Sequence, residues 1–157
     1  MRKWRYQVRG QIEVAARAER VYEVATDPKN VPAYVPEVAR VEPLEKLDER
    51  TQLVRSHVRI GRFTFARLYR YHYRPPTHYG GAQATGRLLR GYFSLTFEPR
   101  GARTTLVTHV EGVRSAVPLV APLAGLVYFR LLARGGVGEE LRRLKELAEA
   151  EPREVSV

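Results

Sequence analysis

The chain has 157 residues, 44% of them apolar and 28% charged, which is enough for one globular core and speaks against disorder. It holds no cysteine, so disulfides and thiolate metal or redox sites are excluded. The formal net charge is +10, and with lysine only at positions 3, 29, 46 and 145 the basic residues are almost all arginine.

Trp4 to Val14 alternates, with Trp4, Tyr6, Val8, Ile12 and Val14 on one face and polar residues on the other, which predicts a half-buried strand. Ala18 to Ala25 changes to a helical period with Val21, Val24 and Ala25 on one stripe, and Asp27-Pro28 stops it. Asn30 is placed to cap a second short helix that turns Val31, Tyr34 and Val35 inward and ends at Pro36.

Strands and turns follow. Val38–Leu47, Gln52–Ile60, Phe63–Arg74, about His78–Gly86, Tyr92–Glu98 and Arg103–Val113 read as strands. Gly61-Arg62 is of hairpin length, and Pro75-Pro76 ends the longest strand. Short connections between consecutive strands predict an antiparallel meander. The most apolar stretch, Ala116–Leu132, contains Pro118, Pro122 and Arg130 and falls short of a transmembrane span. It opens a long helical pattern from Pro118 to about Ala150, in which Val120, Leu123, Val127, Leu131, Val137, Leu141, Leu144 and Ala148 form the stripe and Gly135-Gly136 is a place to bend or break. Residues 1–150 are expected to form one domain and 151–157 a loose tail. No signal-peptide apolar region stands near Met1, so the expected location is cytoplasmic.

The order β-α-α, six strands, then a long helix implies an α+β fold: a curved seven-stranded antiparallel sheet with the helix laid across its concave side. Such a fold leaves room for a cavity. Three stretches resemble the START-like superfamily, also called the Bet v 1-like, helix-grip or SRPBCC fold. They are Ala18 to Val38 with its Asp27-Pro28 and Tyr34-Val35-Pro36, then Gly91 to Pro99, and Arg103 to Glu111 leading into the final helix. Within that superfamily the chain is most similar to the bacterial polyketide cyclase/dehydrase and coenzyme Q-binding group, although Phe93 stands where a tryptophan is usual. The resemblance implies a helix-grip fold and a small hydrophobic ligand, and it carries no catalytic motif.

No residue spacing suggests a metal set, since His57, His72, His78 and His109 are dispersed; no cofactor is expected either. No Gly-x-Ser-x-Gly and no phosphate-binding loop is present. The richest feature is the strand in which Phe63, Phe65, Arg67, Tyr69, Tyr71 and Tyr73 share a face. If that face lines the cavity, Arg67 is a cation that needs an oxygen partner. The expected ligand-binding set is Phe65, Arg67, Tyr69, Tyr71, Phe93, Leu95, Leu106, Leu123 and Val127, with Arg67 orienting a polar head group.

Three function classes are compatible with these residues. The first is a non-enzymatic binder or carrier of a lipid-, isoprenoid- or polyketide-like molecule. The second is a cyclase or dehydratase using Arg67, Tyr69 and Tyr71, ranked lower because no carboxylate or histidine pair stands out. The third is an RNA- or ribosome-associating module, or one that meets a membrane surface, because nine arginines and no acid lie between Arg50 and Phe97.

Overall fold

The computed structural model describes residues 4–128, 130 and 136–150. Seven strands form one antiparallel sheet in the order β1-β7-β6-β5-β4-β3-β2. They are β1 (Trp4–Val14), β2 (Val38–Lys46), β3 (Thr51–Ile60), β4 (Phe63–Arg74), β5 (His78–Gln83), β6 (Arg90–Pro99) and β7 (Thr105–Ser115). Strands β2 to β7 form the expected meander, and β1 returns to pair with β7 along its whole length.

Among the described residues, four helices accompany the sheet: α1 (Ala18–Thr26), α2 (Val31–Tyr34), α3 (Val120–Val127) and α4 (Gly136–Glu149). Asn30 precedes α2 but does not cap it; its side-chain amide instead donates to the Val24 carbonyl, tying α2 back to α1. The helical pattern expected from Pro118 to Ala150 is realised as α3 and α4. Gly136 has φ +61°, a left-handed conformation that a continuous α-helix cannot accommodate, so α4 starts anew there. Leu131, which the periodicity placed on the stripe, and the expected tail 151–157 lie outside the described residues.

Helix α4 buries Val137, Glu140, Leu141, Leu144 and Ala148. It lies so close to β1 that a Cβ on Gly10 would sit 2.7 Å from Val137 Cγ1, so only glycine permits this approach. Two further contacts fasten its C-terminal end: Glu149 accepts from the Ala15 backbone N–H at 2.8 Å, and Lys145 donates to the Glu13 carbonyl. The core under α4 and α1 holds Val14, Val21, Val24, Tyr22, Phe97, Val107, Leu141 and Leu144, and Tyr22 meets Phe97 edge-on at 5.6 Å. This solid half of the molecule fixes α4 against the sheet. The other half, under α2, α3 and the ends of β3, β4 and β6, is hollow.

Candidate functional site

Register decides which side chains enter the hollow. Tyr73 of β4 pairs with Tyr79, Tyr79 with Leu95, Leu95 with His109 and His109 with Gly10, so these five residues form one row on the concave face. The next row runs Tyr71, Gly81, Phe93, Glu111 and Val8. Aromatic side chains therefore fill the β4–β6 end of both rows, and His109 and Glu111 bring polar groups to the β7 end.

The aromatic end is tightly knit. Tyr71, Tyr79 and Phe93 meet edge-to-face with centroids 5.2 to 5.5 Å apart. Tyr73 stacks on Tyr79 at 5.6 Å. Such pairs add about 0.5–1.5 kcal/mol each beyond area burial. Burial pushes the Tyr71 and Tyr79 hydroxyls above their ordinary range and Tyr73 up to about 12, so at neutral pH all three are uncharged. Burial also raises Tyr69, while the Arg67 guanidinium beside it pulls the other way. Tyr34 donates its hydroxyl to the Ala25 carbonyl at 2.6 Å, which locks α2 over the hollow.

The cavity has a volume of about 330 Å³. Its walls include Val35, Val58, Tyr69, Tyr71, Tyr79, Phe93, Leu95, Ala124 and Tyr128, and its polar lining includes Glu37, Arg67, Glu111 and Glu140. That size is at the lower end of small-molecule sites, and an apolar wall with a few convergent polar groups is their usual composition.

Of the nine residues expected from sequence, the structure brings Arg67, Tyr69, Tyr71, Phe93 and Leu95 together on this cavity. The other four lie elsewhere. Phe65 is on the same strand face but near the β3–β4 hairpin, where it is 47% exposed and meets Phe63. Leu106 points away, because the inward face of β7 is Thr105, Val107, His109 and Glu111; Leu106 and Thr108 alternate with them. Leu123 and Val127 are 61% and 48% exposed, since α3 turns Ala121, Ala124 and Gly125 inward, one step round the helix. Apolar content thus marked the wrong side of β7 and of α3: the inward positions carry a histidine, a glutamate and small residues.

Those inward polar positions form a cluster that sequence reasoning missed. Glu140 projects from the otherwise apolar face of α4 and is 4% exposed. His109 stands behind it on β7 and is also 4% exposed. His109 Nε2 lies 3.2 Å from a Glu140 carboxylate oxygen and 3.8 Å from one of Glu111. The closer approach is at charge-pairing distance but lacks hydrogen-bond alignment, so His109 Nε2 and Glu140 Oε2 are both buried without a hydrogen bond. Burial, then the facing Glu111 and Glu37 carboxylates, push the Glu140 pKa well above the ordinary carboxylate range. One sign was present in the sequence: position 140 falls on the stripe of Val137, Leu141 and Leu144, where a carboxylate is out of place.

The opposite, convex face is basic. Arg55, Arg59, Arg70 and Arg74 are all on it, with His57 paired to Glu42 at 3.2 Å. Arg114 lies 4.3 Å over the Tyr92 ring. None of these groups reaches the aromatic rows, which point to the other side of the sheet. No helix of the described residues is long and apolar enough to cross a membrane.

The family model described as polyketide cyclase/dehydrase and lipid transport matches residues 5–149. No curated protein sequence matches the chain significantly. Among solved structures, an aromatase/cyclase from a Streptomyces species is 19% identical, with a TM-score of 0.73 over 93% of this chain and 94% of that one. A START superfamily protein from Mycobacterium smegmatis is 20% identical, with a TM-score of 0.64 over 91% and 94%. Norcoclaurine synthase from Thalictrum flavum, solved with dopamine and hydroxybenzaldehyde, is 13% identical, with a TM-score of 0.65 over 92% and 87%. At these identities the structural likeness concerns the fold.

Proposed function

The chain belongs to the polyketide cyclase/dehydrase and lipid transport family, and from that premise we propose that its cavity binds a small hydrophobic molecule bearing at least one oxygen group, of polyketide-, isoprenoid- or lipid-like type. The observation that carries this reading is the cavity of about 330 Å³, walled by the aromatic Tyr71, Tyr79 and Phe93 and carrying the polar Arg67, Glu111 and Glu140 in its lining. The aromatic wall takes up apolar surface. Burying about ten methylenes is worth ~8 kcal/mol gross, the free energy of micromolar binding before the costs of association are subtracted. The polar lining sets direction: an oxygen atom placed against Arg67, Glu111 or Glu140 gains a hydrogen-bond partner that a wholly apolar occupant lacks. Two of the fold relatives, an aromatase/cyclase and a synthase holding dopamine and hydroxybenzaldehyde, are enzymes of ring compounds, which is consistent with a flat occupant lying against the Tyr71–Phe93 wall.

The test uses a fluorescent fatty acid and a neutral analogue of equal length. Both bind the parent protein saturably, and Arg67→Leu weakens the acid at least tenfold more than the neutral analogue. Equal losses would remove Arg67 from head-group recognition, and no saturable binding of either probe would remove the reading itself.

A second reading, cyclisation or dehydration of such a molecule, is favoured by one observation: Glu140 faces the cavity with His109 behind it at 3.2 Å. A carboxyl group beside an imidazole can exchange a proton with a bound substrate. In dehydration of a β-hydroxy ketone, the α C–H proton goes to the base, the C–O bond breaks, and the hydroxyl leaves as water with a proton from the acid. Enone absorbance appearing with the parent protein, and absent with Glu140→Gln at unchanged probe affinity, distinguishes the enzyme from the carrier.

A further inference from the structure

We propose that His109, Glu111 and Glu140 form a binding site for one divalent transition-metal cation, with its open coordination position facing the cavity. The inference goes beyond the ligand-binding reading and does not depend on it, because all three donors belong to the chain. Each residue offers one donor atom, and the three donors lie within 4.8 Å of one another. The two distances from His109 Nε2, 3.2 Å to Glu140 and 3.8 Å to Glu111, bracket the edge of about 3.4 Å that a tetrahedron with metal–ligand bonds of roughly 2.1 Å requires.

The state of the donors points the same way. His109 and Glu140 are each 4% exposed, and the two atoms that face one another, Nε2 and Oε2, are buried without a hydrogen bond. Buried polar atoms in folded proteins almost always have partners, so a pair left open towards one point calls for an occupant. A cation between them would satisfy both. Charge agrees: the donor set itself holds the two carboxyl groups of Glu111 and Glu140, whose combined charge when ionised matches a divalent ion.

The donor set selects the ion. An imidazole nitrogen beside two carboxylates suits zinc, iron or manganese, whereas magnesium and calcium favour oxygen alone. Three protein ligands are also the pattern of sites that keep a position for a water or substrate oxygen. Glu111 and Glu140 line the cavity, so that position would open towards the bound molecule. Residues 109 and 111 arrive together because i and i+2 share a strand face, and α4 supplies Glu140 from across the cavity.

The experiment uses the full chain stripped with EDTA and titrated with zinc chloride, followed by calorimetry and by metal analysis after dialysis. The expected result is one zinc per chain, with affinity lowered at least tenfold in Glu111→Gln and in Glu140→Gln. Glu111 is half-buried, so its variant keeps the fold even if the Glu140 variant does not. Cobalt substituted for zinc should give visible d–d bands of four-coordinate strength that are lost in Glu111→Gln. His57→Asn, on the convex face, should leave binding unchanged. Absence of stoichiometric zinc binding by the parent overturns the proposal. So does binding that survives in both glutamine variants, or that disappears with His57, since the ion would then sit on surface histidines.

Discussion

Replacing Ala124 with tryptophan puts an indole into the cavity from α3, where Ala124 lines the wall. The cavity volume of about 330 Å³ corresponds to roughly eleven water molecules at ~30 Å³ each. The ring can therefore enter by displacing water or ligand rather than by prising side chains apart. The expected stability change is below about 1 kcal/mol, which for a domain of this size is less than about 2–4 °C in Tm. The same ring should remove probe binding: losing even 2.8 kcal/mol of contact is about a hundredfold in affinity. A solid core would respond in the opposite way. Overpacking costs ~1–3 kcal/mol, and Tm would fall by several degrees with no binding to lose. Differential scanning calorimetry and titration of a fluorescent fatty acid, run on the same preparations, give both quantities. A clear fall in Tm together with no probe binding by the parent would refute the cavity. Unchanged probe affinity in the variant would show that the probe binds elsewhere.

Urea denaturation should separate Phe93 from Phe65: Phe93→Ala breaks the edge-to-face cluster with Tyr71 and Tyr79 and should cost ~3–5 kcal/mol, while Phe65→Ala, half exposed, should cost under ~1 kcal/mol. Glu149 has its pKa held below the ordinary range by Lys145 and the Ala15 N–H. A lowered folded pKa means the contribution is present above the unfolded value near 4.3 and is lost as pH falls through the folded one. The Tm gap between the parent and Glu149→Gln should therefore be widest at neutral pH and close in acid; a gap that widens in acid would contradict the assigned contact. On the convex face, Arg70→Glu with Arg74→Glu should leave probe affinity unchanged, and any RNA retained by the parent should be released steeply with salt. Stoichiometric RNA binding at physiological salt that the double variant abolishes would show a true nucleic-acid site instead.

Much of the fold was legible because periodicity changes sharply along this chain. Phe63–Arg74 alternates without a break and is β4 to the residue, and the apolar stripe at Val137, Leu141, Leu144 and Ala148 is the buried face of α4. The aromatic wall was legible for the same reason: Tyr69 and Tyr71 share a face with Arg67, and Phe93 shares one with Leu95. The polar wall was not. On β7 both faces carry apolar residues, so Leu106 and Val110 drew the inward assignment away from His109 and Glu111. On α3 nearly every residue is apolar, so the pattern has no preferred side, and Gly125 packed against Tyr6 decides the rotation. The meeting of His109 with Glu140 joins positions far apart in the chain through the docking of α4 on β1, which no local pattern encodes.

Native mass spectrometry of the chain purified from its own organism tests most directly whether the cavity holds a ligand. The expected result is a population carrying one small hydrophobic molecule, released on denaturation, competed away by the fluorescent fatty acid and absent from Ala124→Trp. Finding the bare chain mass alone in parent and variant, together with no saturable uptake of the probe by the parent, would contradict a ligand-binding cavity.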